Sequence, residues 1–168
     1  MTATRAGAVR HRDAMHRCRH IGLVGVLCVL SAVPAVAAVR QQGTPRPDVL
    51  VGTAGPDRIN GRGGDDRIRG RGGNDHLAGG GGNDLVAGDS GNDTIGGGPG
   101  NDTLLGGAGA DRITGGPGQD TVAGGGGNDR IFVRDGALDH VSCGGGRDRV
   151  VADRGDDVAR DCEHVQRG

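Results

Sequence analysis

Single aliphatic residues recur every nine positions through the middle of the chain, most of them between polar or small neighbours. They are Ile59, Ile68, Leu77, Val86, Ile95, Leu104, Ile113, Val122 and Ile131. Because side chains alternate in direction along a strand, this pattern predicts a short strand at each position, with the aliphatic residue inward and its neighbours outward. The period predicts one small structural unit copied nine times.

Aspartate and glycine keep the same phase as the aliphatic residues. An aspartate stands two residues before each of them: Asp57, Asp66, Asp75, Asp84, Asp93, Asp102, Asp111, Asp120 and Asp129. Glycines stand five and two residues before every aspartate, as Gly52 and Gly55 do before Asp57. Glycine permits tight turns, so the first six positions of G-x-x-G-x-D-x-U-x are predicted to form a loop and the D-x-U segment a strand.

This unit resembles the repeat of the RTX nonapeptide family over about residues 50–131. The resemblance implies an all-β fold, a parallel β-roll or β-helix solenoid of nine repeats. If one unit makes half a coil, alternate aliphatic residues stack in two facing sheets. The resemblance also implies calcium ions between loops two units apart, with at most seven sites. The pairs would be Asp57 with Asp75, Asp75 with Asp93, Asp93 with Asp111, Asp111 with Asp129, Asp66 with Asp84, Asp84 with Asp102, and Asp102 with Asp120.

The chemistry of the repeated loops also favours calcium. Stacked loops lie about 4.8 Å apart, so their carboxylates repel unless a cation lies between them. Carboxylate and carbonyl oxygens suit calcium, whereas zinc and copper are poorly served by repeats with no cysteine and only His76. The alternative is that the aspartates only accept hydrogen bonds from loop amides.

Four units depart from the family pattern at its second glycine, where they carry Thr53, Arg62, Arg71 and Asp89. Arg62 and Arg71 place a cation beside the early loops. The sites from Asp84 onward are therefore the better candidates.

Composition excludes a conventional globular core. The chain has 38 glycines, one phenylalanine, no tryptophan and no tyrosine among 168 residues. A disordered glycine-rich linker is one alternative. A collagen triple helix is excluded, since glycine does not occupy every third position.

Residues 1–38 are predicted to be a secretory signal peptide, with an apolar run from Ile21 to Leu30 and cleavage after Ala37 or Ala38. Met15 is a candidate for the true start. The apolar run is shorter than the ~20 residues that a membrane-spanning helix needs, so no transmembrane anchor is expected after cleavage. The protein is then secreted, and residues 39–50 form a linker and a first capping strand before the calcium roll at 51–131.

Residues 132–168 are predicted to be a C-terminal cap with degenerate repeats. The phase slips by one residue at Asp139-x-Val141, and Cys143 to Val150 retains part of the repeat. The segment from Asp139 to Val165 resembles the C-terminal module of exported actinobacterial calcium-binding repeat proteins. Cys143 and Cys162 are predicted to form a disulfide outside the cell, with a metal pair or two free thiols as alternatives.

Charge and motifs restrict the function. Residues 39–168 contain 15 arginines, no lysine and 20 acidic residues. The arginines are scattered among acids along the sequence rather than gathered into a basic stripe, so nucleic-acid binding is not expected. No catalytic motif is present, and we do not expect an enzyme.

The sequence predicts a secreted calcium-binding protein whose roll folds on extracellular Ca2+. The alternative is a structural or adhesive surface module, and a protein or glycan partner is unknown.

Overall fold

The computed structural model describes residues 37–168. Almost all of the predicted signal peptide, and the alternative start at Met15, lie outside the described residues. Within residues 37–168 every regular element is a β-strand. No helix of the described part is long and apolar enough to cross a membrane.

Fifteen strands, numbered in chain order, alternate between two parallel sheets. The odd sheet contains β1 (Arg40–Gln42), β3 (Arg58–Gly63), β5 (His76–Gly81), β7 (Thr94–Gly96), β9 (Arg112–Thr114), β11 (Arg130–Phe132), β13 (Arg149–Ala152) and β15 (His164–Arg167). The even sheet contains β2 (Val49–Val51), β4 (Arg67–Gly72), β6 (Leu85–Ser90), β8 (Thr103–Ala108), β10 (Thr121–Gly126), β12 (His140–Gly145) and β14 (Asp157–Val158). Each sheet follows chain order, so the predicted all-β parallel solenoid is confirmed.

The register shows that two repeats make one coil. Ile59 pairs with Leu77 in the odd sheet, and Val86 pairs with Leu104 in the even sheet. After the slip in phase, Val122 pairs with Val141 and Ile131 pairs with Val150, so the extra residue lies in a loop and leaves the stacking intact.

The core is one thin double row of aliphatic side chains. All nine repeat aliphatics are at most 3% exposed, and Leu50 packs against one end of them. At the other end Val141, Val150 and the half-cystines Cys143 and Cys162 continue the row. With so few apolar atoms per residue, burial alone stabilises the coil weakly.

Several strands are longer than predicted. β3, β4, β5, β6, β8, β10 and β12 each extend over six residues, and they include glycine positions that the sequence placed in loops. Backbone pairs such as Gly63 with Gly81 continue the ladder beyond the aliphatic residue. After these long strands the turn is confined to three residues, the last of which is an aspartate, whereas the predicted six-residue loop is present after β7 and β9.

The predicted disulfide is confirmed: Cys143 in β12 is bonded to Cys162 before β15, with their Cα atoms 5.1 Å apart. We expect the double variant Cys143→Ala/Cys162→Ala to lose about 3 kcal/mol of unfolding free energy, because the bridge restricts the unfolded chain. Urea unfolding in saturating calcium measures the loss. Reduction of the unaltered protein should reproduce it, and an unchanged urea midpoint in both experiments would contradict the expectation.

Candidate metal centre

The repeat aspartates occupy equivalent positions along the two lateral edges of the coil. Each directly precedes a strand, and all nine are at most 3% exposed. Burial of so many carboxylates is costly unless their oxygens find partners.

One oxygen of each interior carboxylate has a partner. The Oδ1 atom of Asp75 accepts a hydrogen bond from the backbone amide of Asp57 at 2.7 Å. The same bond links Asp84 to Asp66, Asp102 to Asp84, and Asp120 to Asp102, at 2.8 to 2.9 Å. The structure therefore brings together the aspartates that the sequence paired two units apart, and joins them through one amide–carboxylate bond.

The other oxygen of these carboxylates lacks a hydrogen-bond partner among the described residues. This orphaned Oδ2 atom recurs in ten buried side chains: Asp66, Asp75, Asp84, Asp93, Asp102, Asp111, Asp120, Asp129, Asp139 and Asp148. A buried acceptor without a donor is destabilising, and two regular rows of five such oxygens, one on each edge of the coil, indicate a recurring ligand position. The alternative that the aspartates only bond loop amides accounts for Oδ1 and leaves Oδ2 unexplained.

A glycine lies over eight of the ten orphaned oxygens and leaves room for them, whereas Arg134 and Cys143 stand five residues before Asp139 and Asp148. A Cβ atom built on Gly97 would lie 2.2 Å from Oδ2 of Asp102 and 2.7 Å from the carbonyl oxygen of Gly115. Gly79 has the same relation to Asp84 and to the carbonyl oxygen of Gly97. In the nine regular repeats the glycine five residues before the aspartate is therefore required by space, and in eight of them a carboxylate and a carbonyl oxygen converge beneath it.

The electrostatic environment disfavours bare carboxylates. Burial, together with the nearby charges of Asp102 and Asp139, raises the pKa of Asp120 to about 7, although a hydrogen bond from the backbone of Asp102 lowers it. Burial also raises the pKa of Asp75, Asp102, Asp111 and Asp139 to about 6 in each case. A bound cation would remove this cost by neutralising the negative charge.

The donors fit calcium. Within residues 37–168 no cluster of three or more Asp, Glu, His or Cys side chains is arranged to hold a metal. A site here must combine one or two carboxylates with backbone carbonyls, which Ca2+ accepts and Zn2+ does not favour. His76 lies exposed at the start of β5 rather than beside a carboxylate edge. When bound, calcium would supply positive charge that links neighbouring coils.

The two N-terminal loops differ from the later ones, because a threonine donates hydrogen bonds to the carboxylate oxygen that has no partner elsewhere. Oδ2 of Asp57 accepts hydrogen bonds from the Thr53 amide at 2.5 Å and the Thr53 hydroxyl at 3.2 Å. Asp48, one unit earlier, accepts the same two bonds from Thr44 at 2.5 and 2.9 Å. Of the nine aspartates predicted as calcium ligands, Asp57 is therefore the one whose second oxygen is already hydrogen bonded.

The other three residues that replace the second glycine of the family pattern hold the backbone at positive φ angles. Arg62, Arg71 and Asp89 adopt φ angles of 80°, 81° and 73°, which glycine adopts far more easily. Arg62 donates to the side chain of Gln42, and Arg69 pairs with Asp89. No ion pair joins Arg62 or Arg71 to a repeat aspartate within the described residues, so the cation expected beside these loops is directed elsewhere.

Sequence analysis missed two residues of the same kind. Asp139 and Asp148 are 0% exposed, and their Oδ1 atoms accept hydrogen bonds from the amides of Asp120 and Asp129 at 2.8 Å. Their Oδ2 atoms are orphaned like the others. The signal was present in Asp139-x-Val141 and Asp148-x-Val150, but the shifted phase caused both to be assigned to the cap alone.

The geometry agrees with a family comparison. The RTX calcium-binding nonapeptide repeat matches the chain in four copies, at residues 42–77, 62–95, 96–131 and 139–159, which together span more than half of it. The chain belongs to this RTX repeat family. It is therefore a calcium-binding β-roll protein. No curated protein matches the chain.

The fourth RTX match contains both Asp139 and Asp148. The family pattern thus extends past the insertion that interrupts the nine regular copies. The RTX roll and the disulfide-bonded C-terminal segment form one continuous stack, since β10 pairs with β12 and β11 pairs with β13.

Proposed function

We propose that this protein is exported and that its RTX roll folds when calcium binds the loop aspartates outside the cell. The observation that carries the proposal is the ten buried carboxylate oxygens without partners, five on each edge of the coil. Without a cation these groups oppose folding, and with one they hold adjacent coils together. Binding to the folded state alone shifts the folding equilibrium by mass action.

We assign the ligand set to the aspartates from Asp66 to Asp148. On the edge before the even sheet the proposed pairs are Asp66 with Asp84, Asp84 with Asp102, Asp102 with Asp120, and Asp120 with Asp139. On the other edge they are Asp75 with Asp93, Asp93 with Asp111, Asp111 with Asp129, and Asp129 with Asp148. The Asp57 loop is held by Thr53 instead, which supports a metal-independent N-terminal end.

Export is supported by the signal-like residues 1–38 and by the disulfide, which is typical of oxidising compartments. The absence of a catalytic motif in the sequence supports a role in binding rather than catalysis. An unfolded chain can cross a membrane more easily than a folded roll. Calcium outside the cell would then trigger folding only after the protein has been exported.

The test is far-ultraviolet circular dichroism of the protein, titrated from chelator into millimolar calcium, with magnesium as the control ion. We expect a cooperative change from coil to β-structure with calcium alone, since magnesium retains its waters and demands a stricter geometry. A spectrum that does not respond to calcium would overturn calcium-induced folding.

A matched pair of variants locates the ligands. Asp102→Asn should raise the calcium concentration needed for folding, because it removes the charge of an orphaned oxygen. Asp65→Asn removes the same charge at an exposed loop position where other repeats carry Asn74, Asn83 and Asn92, so it should leave the midpoint unchanged. Equal midpoints for the two variants would contradict the assignment.

A further inference from the structure

The outward face of the odd sheet carries a row of cationic side chains that the sequence disperses. The first outward position of successive strands is Arg40, Arg58, His76, Thr94, Arg112, Arg130, Arg149 and His164, and these residues are direct register partners. All eight are exposed. The expectation that the arginines are not gathered into a stripe is wrong for this face, because an eighteen-residue coil aligns residues that are far apart in sequence.

No acidic residue stands at the first two outward positions of these strands, and Glu163 lies beside Arg130, Arg149 and His164 only at the C-terminal end of the row. The second outward position of the same strands carries Gln42, Asn60, Ala78, Gly96, Thr114, Phe132, Val151 and Gln166. Within residues 37–168 the ion pairs join Arg69 to Asp89, Arg134 to Asp153 and His140 to Asp157, and none involves the row. The Arg112 guanidinium lies over the Phe132 ring at 4.5 Å, which holds it against the sheet.

The outward face of the even sheet is partly apolar. Outward positions of the even sheet include Val49, Val51, Leu85 and Leu105, which are 72%, 37%, 39% and 39% exposed. Calcium-loaded loops along the edges would be neutralised. The odd face then carries five arginines that form no ion pair among the described residues, which gives this face a net positive charge.

The dimensions of the face suit an extended chain. Neighbouring strands place successive side chains of the row about 4.8 Å apart. A shallow groove of about 460 Å³ follows the row from β1 to β9, with Arg58, His76 and Thr94 along it and the small residues Ala78 and Gly96 in its floor. This arrangement matches a linear polymer with one anionic group on each successive unit.

The chemistry of the face selects among polyanions. Nucleic acids are bound by basic grooves with stacking aromatic residues or by elements that enter a groove, and this flat face carries one aromatic ring, Phe132. Anionic membranes favour apolar side chains beside the cations. Of the six exposed large aliphatic residues, four lie on the opposite sheet, one lies in a loop and only Val165 belongs to the odd sheet, in its last strand. A polysaccharide with one carboxylate per sugar ring needs only hydrogen-bonding cations in a row.

We propose that the cationic row of the odd sheet binds a linear acidic polysaccharide, with one sugar carboxylate placed near each strand. This binding goes beyond calcium binding and requires only that the coil be folded. Calcium favours it in two ways, by folding the coil and by neutralising a chain whose residues 39–168 carry more acids than arginines.

The test is binding of the calcium-loaded full-length chain to polygalacturonate, with neutral dextran as the control polymer. The face variant Arg58→Gln/Arg112→Gln/Arg130→Gln/Arg149→Gln should bind about tenfold or more weakly and with a smaller salt dependence. The matched variant loses four exposed arginines elsewhere, Arg46→Gln/Arg67→Gln/Arg147→Gln/Arg160→Gln, and should bind within about twofold of the unaltered protein. Equal weakening of both variants, or no binding by the unaltered protein, would overturn the proposal.

A second pair of variants needs one substitution each. Thr94→Asp inserts a carboxylate into the row and should weaken binding, whereas Thr121→Asp makes the same change on the outward face of the even sheet and should not. Circular dichroism of every variant in calcium separates loss of the fold from loss of binding. Tighter binding to double-stranded DNA or to anionic vesicles than to polygalacturonate, at equal anion concentration, would reject the polysaccharide.

Discussion

Gly97→Ala is expected to destabilise the calcium-loaded roll by about 1 to 3 kcal/mol or more, and to abolish calcium binding at its loop. The new Cβ would lie 2.2 Å from Oδ2 of Asp102 and 2.7 Å from the carbonyl oxygen of Gly115, which are the proposed ligand atoms. Neither can move freely, because Oδ1 of Asp102 accepts a hydrogen bond from the Asp84 amide at 2.8 Å and the Gly115 carbonyl accepts one from the Gly98 amide at 2.9 Å. Urea unfolding and the number of ions bound at saturation measure the two losses.

The neighbouring residue provides the control. A Cβ on Gly96 meets nothing within 4 Å, and Gly96 has no positive φ angle. Gly96→Ala should therefore leave calcium binding intact and stabilise the protein slightly, by up to about 1 kcal/mol, because alanine restricts the unfolded chain. If the two alanine variants behaved alike, the space beneath Gly97 would not be a ligand position.

The second large effect that we expect is that acid stabilises the folded roll in the absence of calcium. In chelator, the protein is expected to change from largely unfolded at pH 7.5 to largely folded at pH 4.5, followed by circular dichroism. Burial raises the pKa of Asp75, Asp102, Asp111 and Asp139 from 3.8 to about 6, and that of Asp120 to about 7. Protonation removes the charge that calcium would otherwise neutralise.

The sign follows from proton linkage. Between about pH 4 and 7 the metal-free folded state holds protons that the unfolded chain has released, so its stability falls as the pH rises through this range. The stabilisation is fully present below the unfolded pKa of 3.8 and is lost as the pH passes the folded pKa values of about 6 and 7. Calcium binds the deprotonated form, so its apparent affinity should change in the opposite direction and decrease with acidification.

Variants with neutral asparagine test, without a change in pH, whether the charge of the buried carboxylates destabilises the metal-free protein. Asp102→Asn/Asp120→Asn should make the metal-free protein more folded at pH 7.5 than the unaltered chain, while it weakens calcium binding. A chelated protein that is less folded at pH 4.5 than at pH 7.5 would contradict the linkage. A double variant that is no more folded in chelator would do so independently.

Much of the fold follows from the sequence alone. The nine-residue period, with one inward aliphatic residue and one aspartate per unit, determines parallel stacking, because identical units bury identical residues only when they are copied in register. The RTX resemblance implied the pairing of aspartates two units apart, and the two cysteines that follow the signal segment predicted the Cys143–Cys162 bridge; the structure shows both contacts. Several predicted loops were too long because glycine marks turns without showing where the ladder stops.

Tertiary structure decided what each atom contacts. Only the stacked loops show that Oδ1 of each interior aspartate has a hydrogen-bond partner and Oδ2 has none. They also show that Thr53 donates a hydrogen bond to Oδ2 of Asp57. Asp139 and Asp148 join the carboxylate row because the insertion is absorbed in a loop. The cationic row likewise forms between residues a full coil apart. Periodicity in a sequence identifies residues that share an environment, whereas their contacts depend on neighbours that only the folded coil brings together.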